Sequence, residues 1–308
     1  MKTDHSIDVA CPADPAFRVG LDVSRWPEIF PPCLAARVLE ETDTRQKIAL
    51  TARANDAVLS WESERAIDRD NRRISFAQSK PSPLVQFMKG TWRFEPSDAG
   101  CTITLTHDFE IADSVAGIVE GVTTREEAAD FMMRSVETNS RKELAAVAAR
   151  LERERWRHAF AESLVLTQPA ALVFRLLRDA ACWPWLLPHC TGMEVLYDDG
   201  TYQEFVMVVQ VGETEERIRS VRIVSADRID YFQPAPPPAL TEHRGRWTVT
   251  ETEAGTEVVS WHEVVLSPAF WAGKDPEEAK HTVETAINRN SLGTMQAIAA
   301  KLGGPDHA

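Results

Sequence analysis

The residues best equipped to do chemistry sit in one pentapeptide, Trp61-Glu62-Ser63-Glu64-Arg65. Read as a β-strand, it alternates Trp61, Ser63 and Arg65 on one face with Glu62 and Glu64 on the other. The two glutamates need water, so Trp61, Ser63 and Arg65 face inward. Removing an unpaired cation from water costs several kcal/mol even after relaxation. An inward arginine therefore implies something that neutralises it, such as a polar ligand or a wet cavity. The pentapeptide alone leaves a second reading open, a tryptophan stacked on an arginine that snorkels to a sheet edge. A second candidate is His107 in Ile103-Thr104-Leu105-Thr106-His107-Asp108-Phe109, where alternation puts Ile103, Leu105, His107 and Phe109 inward. An inward imidazole can act as general base or acid, and a histidine hydrogen-bonded beneath a helix is the plainer alternative.

The elements that must position these residues occur twice. Pro12, Phe17, Arg18, Asp22, Trp26, Pro27, Pro31 and Cys33 match Pro169, Phe174, Arg175, Asp179, Trp183, Pro184, Pro188 and Cys190 at a spacing of 157. The spacing holds through Ser63/Ser220 and Arg65/Arg222, becomes 155 for Gly90/Gly245, Trp92/Trp247 and His107/His262, and falls to 151 for Asn139/Asn290 and Ser140/Ser291. Spacing changes that fall between elements are what a duplicated domain shows.

Each unit reads in the same order. A short strand over His5 to Ala10 precedes a helix begun at Pro12-Ala13-Asp14-Pro15, and Trp26-Pro27-Glu28-Ile29-Phe30-Pro31-Pro32 fits a second short helix closed by proline. Strand-like runs from Ala35 to Glu110 are separated by turn signals at Asp56, Asp70-Asn71, Pro81-Ser82-Pro83 and Asp98-Ala99-Gly100. A long helix is expected from about Thr123 to Glu154, with Ala128, Phe131, Met132, Ser135, Asn139, Leu144, Val147 and Leu151 along one face. The second unit repeats the plan and ends in a helix from about Pro276 to Leu302. The fold class is therefore α+β, with a curved antiparallel sheet around a long helix and room for a cavity between them. Domain bounds of 1–154 and 159–304 follow, joined by Arg153-Glu154-Arg155-Trp156-Arg157-His158, which lacks Pro and Gly and is expected to be short and partly helical.

Composition excludes several classes. The chain has 308 residues, 44% hydrophobic and 26% charged, the make-up of a globular protein. It shows no apolar run of about 18 residues, and its start, Met1-Lys2-Thr3-Asp4-His5, is not a signal peptide, so a cytoplasmic location is expected. Five cysteines without Cys-x-x-Cys spacing argue against a disulfide framework or a zinc site. A net charge of -13 opposes binding to nucleic acid or anionic membranes.

The order of elements, with Trp26-Pro27, Trp61-x-Ser63-x-Arg65 and Gly90-x-Trp92, resembles the polyketide aromatase/cyclases of the Bet v 1-like (START, SRPBCC, helix-grip) superfamily. The duplication resembles that family's two-domain branch, over almost the whole chain. The resemblance implies two tandem helix-grip domains and no cofactor or metal. It implies a poly-β-ketone substrate, reduced at one keto group and carried on the phosphopantetheine of an acyl carrier protein, whose first ring is closed between carbons seven and twelve by aldol condensation and made aromatic by dehydration.

On that resemblance Arg65 stabilises the developing oxyanion and Ser63 bonds the same carbonyl, while His107, from its inward place on the strand, is the candidate to move the methylene proton or assist dehydration. Trp61, Trp26, Phe30 and Trp92, with Asn139, are expected to wall the substrate and hold its reacting carbons together, whereas Phe17 reads as core. In the second unit Ser220 and Arg222 keep the polar pair, with Trp183, Trp247 and His262 as further candidates, but Ile218 replaces the tryptophan. The second unit's role is therefore open between dehydrating, holding the chain and bracing its neighbour. The acidic chain cannot attract an acidic carrier at long range, so Arg69, Arg72, Arg73, Lys80 and Lys89 are the candidate local contacts for carrier or phosphate. The competing class is a non-catalytic carrier of a hydrophobic or aromatic ligand, for which an almost wholly apolar cavity is expected.

Overall fold

A computed structural model describes residues 1–54, 57–211 and 214–303. The expected turn at Asp56 and the expected domain end at 304 lie outside the described residues. The chain forms two compact units, Met1–Arg155 and a second that begins at Trp156.

In the first unit β1 (Lys2–Val9) leads into α1 (Ala13–Leu21), a single 3-10 turn and α2 (Trp26–Ile29). Pro12 precedes the first turn of α1, and Pro27 sits in the first turn of α2, where a missing N–H leaves no bond unmade. Strands β2 (Cys33–Glu41), β3 (Arg45–Ala54), β4 (Ala57–Asp68), β5 (Arg73–Lys80), β6 (Val85–Ser97) and β7 (Gly100–Ile111) then meander, and the helix α3 (Arg125–Trp156) follows. β1 pairs with β7, giving one antiparallel sheet in the order β1-β7-β6-β5-β4-β3-β2, so α1 and α2 connect its two edge strands. Ala16, Phe17 and Val23 pack beneath this connection, and Phe17 meets Phe94 edge-on as core.

The second unit repeats the plan with β8 (Arg157–Leu166), α4 (Ala170–Arg178), α5 (Trp183–Leu186), β9 (Cys190–Asp198), β10 (Tyr202–Val211), β11 (Thr214–Val224), β12 (Arg228–Phe232), β13 (Leu240–Thr252), β14 (Gly255–Leu266) and α6 (Pro276–Leu302). Its sheet order, β8-β14-β13-β12-β11-β10-β9, is that of the first. The expected connecting segment, Arg153 to His158, is divided between its neighbours, with α3 running through Trp156 and β8 beginning at Arg157, because the run of glutamate and arginine contains no helix breaker.

Register decides which side chains meet. One row across the first sheet reads Glu41, Gln46, Arg65, Phe76, Gly90, His107, each directly opposite the next on the neighbouring strand. The same row in the second sheet reads Asp198, Gln203, Arg222, Tyr231, Gly245, His262. Glycine is required in the row because a Cβ at Gly90 would lie 2.4 Å from the Phe76 ring and 2.1 Å from Thr106 O, and one at Gly245 would lie 2.4 Å from the Tyr231 ring. The empty position lets the aromatic ring reach across to the histidine.

Candidate active site

Between α3 and the first sheet lies a cavity of about 830 Å³. Trp26, Phe30, Trp61 and Trp92 supply flat apolar wall, and Ser63, Arg65, His107, Asn139, Ser140 and Glu143 supply polar groups. Alternation on β4 and β7 brings Ser63, Arg65 and His107 to the inner face, as the sequence predicts. The helix contributes a stripe in which Phe131, Met132, Ser135, Asn139, Ser140 and Glu143 recur at helical spacing. The wall is thus neither wholly apolar nor an ordinary core.

Arg65 is 3% exposed and is held by the protein itself. Its Nη1 donates to Gln46 Oε1 at 2.6 Å and to Leu21 O at 3.4 Å, and its Nη2 donates to Gly20 O. Gln46 Nε2 in turn donates to Glu41 Oε1 at 2.6 Å. The guanidinium therefore ties β4 to the last turn of α1, where unpaired carbonyls gather. Its carbon lies 5.2 Å from the centre of the Trp26 ring. Burial pushes its pKa down to about 10, a change that leaves it charged at neutral pH. Both sequence readings hold in part: Arg65 stacks on a tryptophan, Trp26 rather than Trp61, and it also lines the cavity.

His107 Nδ1 lies 3.5 Å from Ser140 Oγ, and its ring meets Phe76 edge-on at 5.5 Å. Burial, with a smaller contribution from His5, pushes its pKa down to about 4, so it is a neutral imidazole at pH 7. Glu143 was not anticipated. The residue is half-buried, with its carboxyl opening into the cavity, and burial pushes its pKa up to about 7. Among the described residues neither the Glu143 carboxyl nor the Ser63 hydroxyl has a hydrogen-bond partner in the protein. A signal existed in the sequence: Glu143 stands three and four residues after Ser140 and Asn139 on one helical face, and its repeat counterpart is Thr294, where the duplication breaks.

Arg222 is likewise 3% exposed, donates from Nη2 to Leu177 O at 2.6 Å, and lies 5.3 Å from the Trp183 ring centre. Ser220 is buried beside it on β11. Trp183 Nε1 donates to Leu176 O at 3.1 Å, and Trp247 packs in the apolar core with Val173, Leu177 and Ile229. His262 stands inside a polar cluster: Tyr231 hydroxyl is 2.9 Å and His243 Nε2 is 3.2 Å from its Nδ1, and Ser260 and Ser291 hydroxyls are 2.8 and 3.0 Å from its Nε2. His107 faces a cavity; His262 is fully occupied within the protein.

The basic run is mostly spent locally. Arg69 donates to Asp43 O, Arg72 pairs with Asp14, Lys80 with Glu62 and Lys89 with Asp108. Four of the five proposed contacts already have acceptors, so the run reads as a solvated face.

The fold and its cavity define a tandem helix-grip protein with a polar, aromatic-walled site in the first unit. Residues 1–152 match the model of a family described as polyketide cyclase / dehydrase and lipid transport, and residues 166–280 match a second model of the same description. The granaticin polyketide synthase bifunctional cyclase/dehydratase of Streptomyces violaceoruber is 30% identical over 97% of this chain and 93% of its own. The actinorhodin polyketide synthase bifunctional cyclase/dehydratase of Streptomyces coelicolor is 28% identical, over 97% and 96%. Among solved structures, the di-domain ARO/CYC BexL from the BE-7585A biosynthetic pathway is 31% identical, with a TM-score of 0.48 over 97% of this chain and 98% of that one. The chain belongs to the polyketide cyclase/dehydrase family. No helix among the described residues is long and apolar enough to cross a membrane.

Proposed function

We propose that the chain is an aromatase/cyclase of a type II polyketide pathway, closing the first ring of a carrier-bound, singly keto-reduced poly-β-ketone by aldol condensation and then dehydrating it. The observation that carries this reading is the pair of groups facing the first cavity, a neutral imidazole at His107 and a carboxyl at Glu143 poised near neutral pH. Two titratable groups whose surroundings push them to opposite protonation states suit one to accept a proton and the other to give one. His107 takes the methylene proton, and the protonated Glu143 gives its proton to the carbonyl oxygen as the carbon–carbon bond forms. Arg65 adds a fixed positive charge in the wall, and Ser63 has a free hydroxyl for the same oxygen. The tryptophans and Phe30 keep the chain folded and water out. Docking of an acyl carrier protein supplies the substrate.

A minimal polyketide synthase with its ketoreductase tests the reading. Products are compared with no added protein, wild type, Ser63→Ala, His107→Gln and Arg65→Ala. Wild type is expected to divert the product to one aromatic compound, and His107→Gln and Arg65→Ala to lose it. An identical mixture in all five reactions overturns the reading in favour of a ligand carrier.

A further inference from the structure

Both units carry a glutamine at the same position of the repeat, Gln78 in β5 and Gln233 just after β12, and they use it differently. The next strand places Met88 in the first unit where it places His243 in the second. In the second unit the His243 imidazole stands between two partners, with Nδ1 3.0 Å from Gln233 Oε1 and Nε2 3.2 Å from His262 Nδ1. Gln233, His243 and His262 therefore form one chain of hydrogen bonds that is complete within the protein.

The first unit has the two ends of this chain without its middle. Gln78 Nε2 lies 3.7 Å from Met88 Sδ, a weak acceptor, and Gln78 Oε1 has no partner. Turning the amide over gains nothing, because it would set Oε1 against sulfur, one acceptor against another. At the other end, His107 Nδ1 is 3.5 Å from Ser140 Oγ, and its Nε2 has no protein partner among the described residues. Gln78, Met88 and His107 all line the 830 Å³ cavity. The thioether beside the amide is unbranched and flexible, so it yields to a polar group that arrives from the cavity.

The second unit shows which chemistry suits this place: a donor for the glutamine and a second polar atom for the histidine, both on one small group. A β-hydroxy ketone carries such a pair, since its hydroxyl donates and its carbonyl accepts. A β-diketone in its keto form carries acceptors alone. We propose that Gln78 selects the keto-reduced chain, its Oε1 accepting a hydrogen bond from the hydroxyl left by ketoreduction, in the place that His243 fills in the second unit. The bond also fixes where the chain lies against His107. Gln78 takes no part in making or breaking bonds. This inference rests on the aromatase/cyclase reading.

The selection works through a mismatch. With the reduced chain bound, the buried Oε1 gains the donor it lacks; with an unreduced chain, a carbonyl oxygen faces it and both acceptors lose water for nothing. A site that bonds a substrate hydroxyl discriminates against an analogue without one far more strongly than an apolar pocket discriminates by size. Gln233 cannot serve in the same way, because His243 already occupies its oxygen. The replacement of histidine by methionine at position 88 thus leaves the glutamine free for substrate in the one unit and spent on the protein in the other.

The test uses the full chain with the minimal polyketide synthase, its ketoreductase present or omitted, and reads the first-ring aromatic product. Wild type is expected to convert the reduced chain at least tenfold more efficiently than the unreduced one. Gln78→Leu, which removes the amide at similar volume, is expected to lose that preference through a higher KM for the reduced chain, with kcat little changed. Met88→His returns the second unit's imidazole to the first and is expected to lose the preference as well. Wild type that converts both chains alike overturns the inference. So does Gln78→Leu if it keeps the preference or loses both chains by one factor, as a structural role would give, and so does Met88→His if it keeps the preference. If wild type gives no aromatic product from either chain, the aromatase/cyclase reading fails instead.

Discussion

Glu143→Gln separates catalysis from stability in opposite directions. The carboxyl is held at a pKa of about 7 instead of 4.5 because of burial, with no ion pair to compensate. At about 1.4 kcal/mol per pKa unit, ionising it inside the fold costs about 3 kcal/mol. The sign follows from linkage. Between pH 4.5 and about 7 the unfolded chain ionises Glu143 while the folded chain keeps it protonated, so stability falls as pH rises through this window and stays reduced above it. Glutamine has nearly the same shape and cannot ionise. Glu143→Gln is therefore expected to stabilise the first unit by up to about 3 kcal/mol at pH 8 and by almost nothing at pH 4. Ring closure, in contrast, is expected to slow by about a hundredfold or more, the usual contribution of a positioned general acid or base. The assays are urea denaturation at the two pH values and the pH profile of single-turnover product formation. In wild type that profile has a limb near pH 7 set by Glu143, and the variant should lack it. A variant that keeps the limb and the rate, or that gains no stability at pH 8, would falsify the assignment of Glu143 as a cavity acid.

Two further outcomes follow from the buried cations and imidazoles. Arg65→Lys keeps the charge but cannot serve Gly20 O, Leu21 O and Gln46 Oε1 together. It is expected to destabilise the first unit by about 3 kcal/mol, read as a lower urea midpoint, and a midpoint equal to wild type would show that Arg65 does not anchor α1. Burial pushes His243 down to about 4 and His262 to about 3, so the second unit is fully stable above the ordinary histidine pKa of 6.5 and weakens as pH falls toward 4. His243 alone accounts for about 3 kcal/mol of that loss. His243→Gln should flatten the dependence, and a second unit whose urea midpoint is the same at pH 7 and pH 4.5 would contradict the buried pair.

The sequence by itself determined the architecture and the face of the site. The repeat spacings placed two copies of one α+β unit, and period-two alternation placed Ser63, Arg65 and His107 inward, because a strand turned over by one residue would bury Glu62 and Glu64. The duplication also marked Ile218 as a place where the copies part. Tertiary structure decided what each inward group touches. Alternation gives a face, not a partner, so it could not tell that Arg65 is bound by the carbonyls ending α1 or that Trp26, not Trp61, covers it. The long helix gave Asn139 from its periodicity, but the weight of Glu143 depends on how closely α3 covers the sheet, since distance from water sets the pKa. The link from Tyr231 to His262 needs three strands in register and a glycine between them. Such contacts join residues far apart in the chain, and local periodicity carries no record of them.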